Sequence, residues 1–483
     1  MPNSVLRVRK VISRSLASLF FISFLSAYSQ PPFQRAIGME SFEKGSAVKV
    51  LPDGSMIISG ETENPAAQER DMMLMRTDSN GNLLWINTYG GPERETVNDV
   101  LQTADRGFLM VAEKYQPHKQ EGENMTMLKT DKDGRMLWSK LYDEGGNETE
   151  GFSLQATPDK GYVVAGMVKN MSMVSSAFFT MSAEDQGMYL MKVDANGNQL
   201  WSRKFDYGEQ GVSSTGTSVI VARDATYIVA GNVAKQGRTD KKIDKPARNV
   251  NMQDMRNMLL TKVKPNGTLQ WAREYISNTI TMAYTVIEKR EGGFLVVGNT
   301  NVTKDNLDIF SMSLAADGSV QWAKTFGGPK FESVADVVQT PDGGFVVSGV
   351  TESFGSGSMD VLTFKTDGKG TLLWAKTYGG KNEDYPSRMA LTRDGIITVG
   401  ATASGKSESF DVLLMKSDWN GNCNNFSKDV TLSMSSFLPD SRKIEKAGMK
   451  KIEQGVYPPN MKKPDVKNIV ENKRQARVKN LGD

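Results

Sequence analysis

The amino-acid sequence predicts an all-β protein: a seven-bladed β-propeller that is closed by an N-terminal strand and followed by a basic C-terminal tail. Three observations carry this prediction. Two short signatures recur along the chain about every fifty residues. Each interval has room for four short strands, the content of one propeller blade. The last interval lacks one strand, and a segment near the N-terminus has the sequence to supply it.

The N-terminal segment is expected to lie outside the fold. Arg7, Arg9, Lys10 and Arg14 precede the apolar run LASLFFISFLSA and small residues. This order is typical of a secretory signal peptide, which we place at residues 1–29. We therefore expect export to the periplasm, to the outer membrane as an associated protein, or to the exterior. An uncleaved anchor is the alternative, although the run is short for a bilayer, and no transmembrane segment is expected in the mature chain.

The first signature is Gly-x-x-x-Trp-x-x-x-Tyr/Phe, which ends each predicted blade on its fourth strand, d. Because the tryptophan is equivalent in six copies, we interpret it as a residue that docks neighbouring blades; ligand stacking is the alternative. The six docking residues are Trp85, Trp138, Trp201, Trp271, Trp322 and Trp374.

The second signature is a β-rich stretch broken by a tight turn, as in VVQTPDGGFVVSGVT at 337–351, and it occurs seven times. It predicts strands a and b, and strand c follows, as in 359–367. The seventh copy has Asn425 where its tryptophan belongs. FQRAIG at 33–38 matches the missing strand, with Phe33 at the tryptophan position. The propeller is thus predicted over 30–425, with its first strand completing the last blade.

These repeats resemble the seven-bladed propeller repeats of the SBBP type that occur in many bacterial envelope and secreted proteins. The Gly-x-x-x-Trp element is similar to the tryptophan-docking motif of quinoprotein-like propellers. The resemblance covers about 33–425 and implies the fold; these repeats serve many roles. The paired vicinal cysteines that quinoprotein dehydrogenases use are missing, because Cys423 is the sole cysteine.

The strand order puts the b–c and d–a connections on one face, which we call the loop face. Blades three and four carry the longest b–c connections there, so we predict a partner-binding surface, with tolerated insertions as the alternative. The apolar connection contributes methionine and phenylalanine, which adapt to partners, and the other is basic. The predicted partner-binding residues are Met171, Met173, Phe178, Phe179, Met181, Lys241, Lys242, Lys245 and Arg248.

Catalytic, cofactor and metal sites are not predicted. One histidine, His118, and one cysteine give little material for transition-metal or nucleophilic chemistry. We expect Cys423 to be a small buried residue. A carboxylate-pair glycosidase remains open, although no pair stands out from the repeat.

Acidic or hydroxyl side chains also recur at the start of strand a. We interpret them as acceptors for loop N–H groups, with a cation-binding ring as the alternative. These residues are Glu43, Glu95, Thr149, Ser214, Thr281, Glu332 and Asp384.

Charge divides the chain. Residues 426–483 hold 13 Lys/Arg against 7 Asp/Glu, a net charge of +6, whereas 30–425 hold 42 against 49, a net charge of −7. A lysine- and proline-rich tail of this kind predicts a flexible segment or a docking arm. Nucleic acid is not an expected partner of an exported protein.

Two functions follow as hypotheses. The first is a non-enzymatic scaffold that binds an envelope or surface protein through the loop face. The alternative is a glycan-binding or glycan-cleaving propeller, which exposed aromatic side chains converging on the mouth of the central channel, with a carboxylate pair about 5–10 Å apart, would favour.

Overall fold

The computed structural model describes most of the chain after the predicted signal peptide. The described residues are 31–39, 41–64, 69–116, 122–144, 147–169, 186–207, 212–235, 256–277, 280–301, 306–404, 409–424, 427–443, 448–451, 470–473 and 477–480. Within these ranges the chain is all β, and no helix is long and apolar enough to cross a membrane. The predicted signal peptide lies outside the described residues.

Seven antiparallel sheets follow one another along the chain, each in the order a-b-c-d, and form a seven-bladed β-propeller. Blades one and two are β2 (Glu43–Val50), β3 (Met56–Asn64), β4 (Glu69–Thr77), β5 (Leu83–Gly90), and β6 (Glu95–Gln102), β7 (Phe108–Gln116), β8 (Gly122–Thr130), β9 (Met136–Tyr142). Blades three and four are β10 (Glu148–Ala156), β11 (Tyr162–Lys169), β12 (Gln186–Val193), β13 (Gln199–Asp206), and β14 (Val212–Val221), β15 (Tyr227–Lys235), β16 (Arg256–Val263), β17 (Leu269–Ile276). Blades five and six are β18 (Thr281–Glu288), β19 (Phe294–Thr300), β20 (Asp308–Leu314), β21 (Val320–Gly327), and β22 (Glu332–Gln339), β23 (Phe345–Thr351), β24 (Asp360–Thr366), β25 (Leu372–Tyr378). Blade seven is β26 (Asp384–Leu391), β27 (Ile396–Thr402), β28 (Asp411–Ser417) and, from the N-terminus, β1 (Phe33–Gly38).

The N-terminal strand closes the ring, as predicted. β1 pairs with β28 over five residue pairs, from Phe33 opposite Lys416 to Ile37 opposite Val412. The Cys423 thiol donates to the Phe33 carbonyl at 3.3 Å, and Asn424 donates its amide to Pro32. Closure in this way pairs an edge of strand c that blade seven would otherwise leave open.

Every strand a contains a β-bulge at the same place. The residue after the bulge bonds the next blade in four cases. Asp99 accepts the N–H of Leu154 at 3.0 Å, and Asp336 accepts that of Met389 at 2.8 Å. Ser153 and Ser218 do the same for blades four and five. The bulge thus directs a polar side chain sideways and fixes the spacing of the inner strands.

Between blades, the core is a series of apolar clusters, each built from two adjacent sheets. The alternation of apolar residues along strands b and c fills both faces of each blade, because both faces meet a neighbour. The blades therefore have fixed positions, and their differences are concentrated on the loop face.

The C-terminal tail adds strands to the outside of the ring. We call these six strands the belt: β29 (Ser427–Asp429), β30 (Ser433–Ser436), β31 (Asp440–Lys443), β32 (Gly448–Lys451), β33 (Val470–Lys473) and β34 (Arg477–Asn480). They pair antiparallel with strand d of blades six, five, four, three, one and seven in turn. In the described part of the chain, blade two has four strands, and residues 452–469 lie outside it.

The belt differs from the expected flexible tail. The composition of the belt is polar, but strand d at the outer edge of each blade has a row of unpaired N–H and C=O groups. A short belt strand can form hydrogen bonds with these groups without a hydrophobic core of its own. A few apolar side chains add to the backbone pairing. Leu432 is buried, and Phe437 meets Phe310 edge-on with ring centroids 6.1 Å apart.

Candidate functional site

The tryptophans lie at the blade interfaces. A Cβ on the glycine of the next c–d hairpin would lie within 2.5–3.2 Å of a tryptophan ring carbon in all six cases. Phe33 occupies the same place against Gly81, at 2.6 Å. These glycines have φ between +74° and +83°, so the turn needs glycine for its backbone as well as for the ring above it. All nine predicted partner-binding residues, from Met171 to Arg248, lie outside the described residues.

One set of equivalent positions on the loop face differs from blade to blade. At each interface, strand b, the start of strand c and the next strand a contribute one residue each, which we call the interface triplet. Between blades three and four it is Met167, Gln186 and Thr215, with Gln186 donating to the Thr215 hydroxyl at 2.9 Å. The other triplets are Glu61, Arg70 and Thr96; Glu113, Glu123 and Glu150; Asn232, Arg256 and Met282; Asn299, Leu307 and Ser333; Val350, Met359 and Tyr385; and Ala401, Phe410 and Lys44.

Between blades two and three all three triplet residues are glutamates. Oxygens of Glu113, Glu123 and Glu150 lie within 4.8 Å of one another, and we call them the glutamate cluster. Asn98 donates to Glu113 Oε1 at 2.7 Å, and Lys169 donates to Glu150 Oε1 at 2.8 Å. The cluster stands at the base of the b–c connections of both blades, because β7 and β11 end beside it.

The electrostatics of the cluster favour a bound proton. Burial, followed by the charge of Glu150, raises the pKa of Glu113 to about 9. Burial also raises the pKa of Glu150, although Lys169 opposes it. Glu123 pairs with Arg94. The cluster therefore places a protonated carboxyl group next to salt-bridged carboxylates at neutral pH.

An aromatic cluster lies on the same face, where blades seven and one meet. Phe42 and Phe410 have ring centroids 5.9 Å apart, and Tyr385 and Phe410 have centroids 5.8 Å apart. All three side chains are partly exposed. The Tyr385 hydroxyl donates to Glu383 at 2.8 Å.

Charged side chains join the two clusters. The Arg70 guanidinium lies 4.2 Å from the Phe42 ring centroid and donates to Glu61 at 2.9 Å. The pKa of Arg94 is raised, first by its hydrogen bond to Glu123, with a smaller contribution from the charge of Glu61. A band of aromatic, cationic and acidic groups thus crosses the loop face from blade seven to blade three; we call it the loop-face band.

Metal binding by the cluster has a defined donor set. Three carboxylates suit a hard divalent cation such as Ca²⁺ or Mg²⁺. Two of them already bind Arg94 and Lys169, so a metal ion would compete with protein cations. The described residues bring no other group of three carboxylate, histidine or cysteine side chains this close together.

Cys423 is buried, as predicted. Burial raises the pKa of its thiol to about 12, so the sulfur is a thiol rather than a nucleophilic thiolate at neutral pH. His118 lies outside the described residues.

The acceptors at the start of strand a mostly behave as expected. Five of the seven accept a backbone N–H: Glu43 from Met39, Thr149 from Met125, Ser214 from Met188, Glu332 from Gly328 and Asp384 from Gly380. Thr281 shares hydroxyl bonds with Ser277 and Thr300. Glu95 instead binds the Lys114 ammonium at 2.8 Å, and burial raises the pKa of Glu95 to about 7.

The glutamate cluster corrects one sequence prediction, that no carboxylates stand out from the repeat. Its members come from three different repeat positions, two on blade two and one on blade three, so a search along a single copy misses them. Comparing each triplet position across the seven copies is the signal that finds them, because glutamate fills all three places at one interface alone.

Neither a protein-family model nor a curated protein matches the chain. The solved structures that resemble it include an ulvan lyase with 8% identity, covering 81% of this chain and 96% of that one, with a TM-score of 0.48. A protein of unknown function from Dyadobacter fermentans has 10% identity, coverages of 80% and 97%, and a TM-score of 0.45. An α-L-arabinofuranosidase from Fusarium graminearum has 12% identity, coverages of 80% and 98%, and a TM-score of 0.43.

Its own strand pairing defines the chain as a seven-bladed β-propeller. The distant structures carry no argument about its activity. Membership of the SBBP type stays a prediction.

Proposed function

We propose that the protein is an exported glycan-binding propeller whose ligand lies on the loop-face band. The single observation that carries this proposal is a run of charged side chains between the aromatic cluster and the glutamate cluster: Arg70 contacts Phe42 and Glu61. Arg94, which feels the charge of Glu61, pairs with Glu123 of the glutamate cluster. A sugar ring has apolar C–H faces that stack on aromatic rings and hydroxyl groups that bond carboxylates and guanidinium groups. Phe42 and Phe410 would stack on one residue of a chain, and Glu113, Glu123 and Arg94 would bind hydroxyls of another.

The glutamate cluster also limits what cleavage would look like. Retaining glycosidases hold two carboxyl groups about 5–5.5 Å apart, and inverting ones hold them about 6.5–9.5 Å apart to admit a water molecule. Oxygens within 4.8 Å leave no room for that water. If the protein cleaves its glycan, the geometry supports the retaining route, with protonated Glu113 as the acid.

The direct test is a glycan array with the mature protein, followed by titration calorimetry on the glycans that bind. Phe42→Ala and Glu113→Gln should each weaken binding at least tenfold while the thermal midpoint changes little. Ser333→Ala, at the triplet position of blade six that corresponds to Glu150, should bind like the wild type. Absence of glycan binding, or equal loss in the Ser333 control, would refute the proposal. Released sugar in the same samples would identify an enzyme.

A second candidate is the protein-interaction scaffold, with an envelope or surface protein as partner. The scaffold is favoured by the position of the connection 170–185 in the chain. This connection begins directly after Lys169, which pairs with Glu150 in the loop-face band. Replacing 170–185 and 236–255 by short Gly/Ser turns should leave the propeller folded and abolish recovery of protein partners from envelope extracts. The basic connection should mainly affect the association rate, so high salt should slow binding more than it weakens the complex. Unchanged recovery after both replacements would exclude these connections as the binding surface.

A further inference from the structure

Four of the seven blade interfaces bury two carboxyl groups side by side. One comes from the start of strand c and the other from the first residue of the next strand a. The pairs are Asp411 with Glu43, Asp71 with Glu95, Asp308 with Glu332, and Asp360 with Asp384. Each of these residues is at most 6% exposed.

Glycine at the end of strand d makes the close approach possible. A Cβ on Gly379 would lie 2.0 Å from Asp360 Oδ1 and 2.8 Å from Asp384 Oδ2. Gly38 and Gly327 have the same relation to their own acid pairs. The two carboxyl groups therefore fill the space that any larger residue would need.

Acidic and neutral residues occur together at these two positions in all seven copies. Where the equivalent strand a position is Thr149, Ser214 or Thr281, the matching strand c position is Asn124, Gly187 or Asn257. If the strand a residue only accepted a hydrogen bond from a loop N–H group, an acidic residue on strand c would be unfavourable beside it, because two buried carboxylates repel each other. Acidic residues at these two positions therefore occur as pairs.

The surroundings of Asp360 and Asp384 donate hydrogen bonds. Asp360 Oδ2 accepts hydrogen bonds from the N–H groups of Ser356 and Gly357. Asp384 Oδ2 accepts one from the Gly380 N–H and one from the Ser404 hydroxyl. Asp384 Oδ1 is buried, and a hydrogen bond from the Thr402 hydroxyl also acts on this carboxyl group. Such a lining suits carboxyl groups, whereas Ca²⁺ needs six to eight oxygen ligands.

We infer that Asp360 and Asp384 share one proton and that this shared proton stabilises the contact between blades six and seven. The contact weakens when the proton is lost. At high pH both groups are ionised, and the repulsion between two buried carboxylates destabilises the interface between the blades. The other three acid pairs are built on the same plan. At the Asp71–Glu95 pair, Lys114 supplies a cation at 2.8 Å, and burial nevertheless raises the pKa of Glu95 to about 7.

Electrostatic surroundings agree with this inference. Burial raises the pKa of both Asp360 and Asp384, and the charge of Asp360 adds to the effect on Asp384. At Asp360 the N–H groups of Gly357 and Ser356 oppose this rise in pKa, followed by the charge of Lys428 of the belt. At Asp384 the hydrogen bonds from Thr402, Gly380 and Ser404 oppose it. A carboxyl with a raised folded-state pKa stabilises the fold fully below its unfolded pKa and loses that contribution as pH rises through the folded pKa.

The test is thermal and urea unfolding of the mature protein from pH 3.5 to pH 9 in chelator-treated buffer. Asp384→Asn keeps the shape and removes the second charge. A raised pKa makes the unfolding constant depend on pH, so we expect Asp384→Asn to lose less stability than the wild type as pH rises across this range. Glu352→Gln, an exposed carboxyl of the same blade, should follow the wild-type profile.

Two results would overturn the inference. One is an identical pH profile for the wild type and Asp384→Asn. The other is a gain in wild-type stability with added Ca²⁺ at pH 9 that Asp384→Asn lacks, because the pair would then be a cation site. If Asp384→Asn fails to fold, Asp360→Asn gives the same comparison, and Asn124 and Asn257 show that strand c accepts asparagine there. Infrared spectroscopy tests the wild type directly. A buried protonated carboxyl group gives a carbonyl band, which should disappear when the pH exceeds the pKa of the pair.

Discussion

Tyr275 and Gly318 join blades four and five: the Tyr275 phenol donates a 2.6 Å hydrogen bond to the Gly318 carbonyl oxygen. A Cβ on the same glycine would lie 3.1 Å from the Trp271 ring. Both aromatic residues of the repeat signature therefore bind one glycine of the next blade. Tyr89, Tyr142 and Tyr378 donate to their own glycines in the same way.

Tyr275→Phe should destabilise the propeller by about 1–2 kcal/mol, because it leaves the buried Gly318 carbonyl without its donor. Chemical unfolding monitored by tryptophan fluorescence measures the change. Phe326→Leu, at the corresponding position of a blade that lacks the hydroxyl, controls for changes in packing. No loss in Tyr275→Phe would mean that the hydrogen bond does not contribute to stability.

Trp322→Ala should cost about 3–5 kcal/mol, as a large-to-small change at a packed interface. The free energy of unfolding is again the measurement. Leu373→Ala serves as a control, because Leu373 is 55% exposed and should change stability by less than about 0.5 kcal/mol. A Trp322 variant that keeps its stability and loses ligand would reassign the tryptophan to binding.

Deleting residues 30–38 should cause aggregation or a large drop in the thermal midpoint. Without β1, strand β28 keeps β27 as a partner but has an open edge, and the belt strand β34 loses β1. Light scattering and scanning calorimetry detect the two effects. A truncated protein that melts like the full chain would show that closure contributes nothing.

Removing residues 427–483 should lower the thermal midpoint without unfolding the ring. The belt covers the outer edges of six blades, and the four strands of each blade stay paired without it. We expect the truncated protein to self-associate more strongly, because exposed edges pair with other chains. Sedimentation velocity at several concentrations measures this. A shortened protein that stays monomeric would contradict a protective role for the belt.

Glu113→Gln should flatten the pH dependence of stability on the alkaline side. In the folded wild type Glu113 keeps its proton up to about pH 9, whereas in the unfolded chain it releases the proton near the ordinary pKa of glutamate. The free energy of unfolding therefore falls as pH rises between these two pKa values. Glutamine imitates the protonated form and should remove this component. Unfolding midpoints at pH 6, 8 and 9.5 test it; a variant that loses stability as steeply as the wild type would place the proton elsewhere.

The repeat made the ring predictable and left the loop face open. Glycine and tryptophan recur because every interface presents the same backbone turn to the same ring, so one copy predicts the next. Phe33 could be assigned to the seventh interface on that ground alone. Glu113, Glu123 and Glu150 stand out only when three separate repeat positions are compared together, because each is an ordinary solvent-compatible residue within its own strand and their proximity arises from packing between blades.

The belt escaped prediction for a different reason. Its strands are three or four residues long, too short for an alternating apolar pattern, and its lysines suggest a solvated tail. The stabilising contacts are backbone hydrogen bonds to an edge provided by the propeller, and amino-acid composition does not record them. Leu432 and Phe437 are the few apolar residues that mark the path.

The pairing of β1 with both β28 and β34 sets an order of events during synthesis. Phe33 is among the first residues of the fold to emerge, yet its strand partners lie near Val412 and Val478. Contacts this distant in sequence form slowly, and an unfinished β ring exposes open strands meanwhile. We therefore expect the nascent protein to need a holding chaperone until its last residues are released, and a ribosome-stalled or prematurely terminated chain to be a substrate for proteolysis.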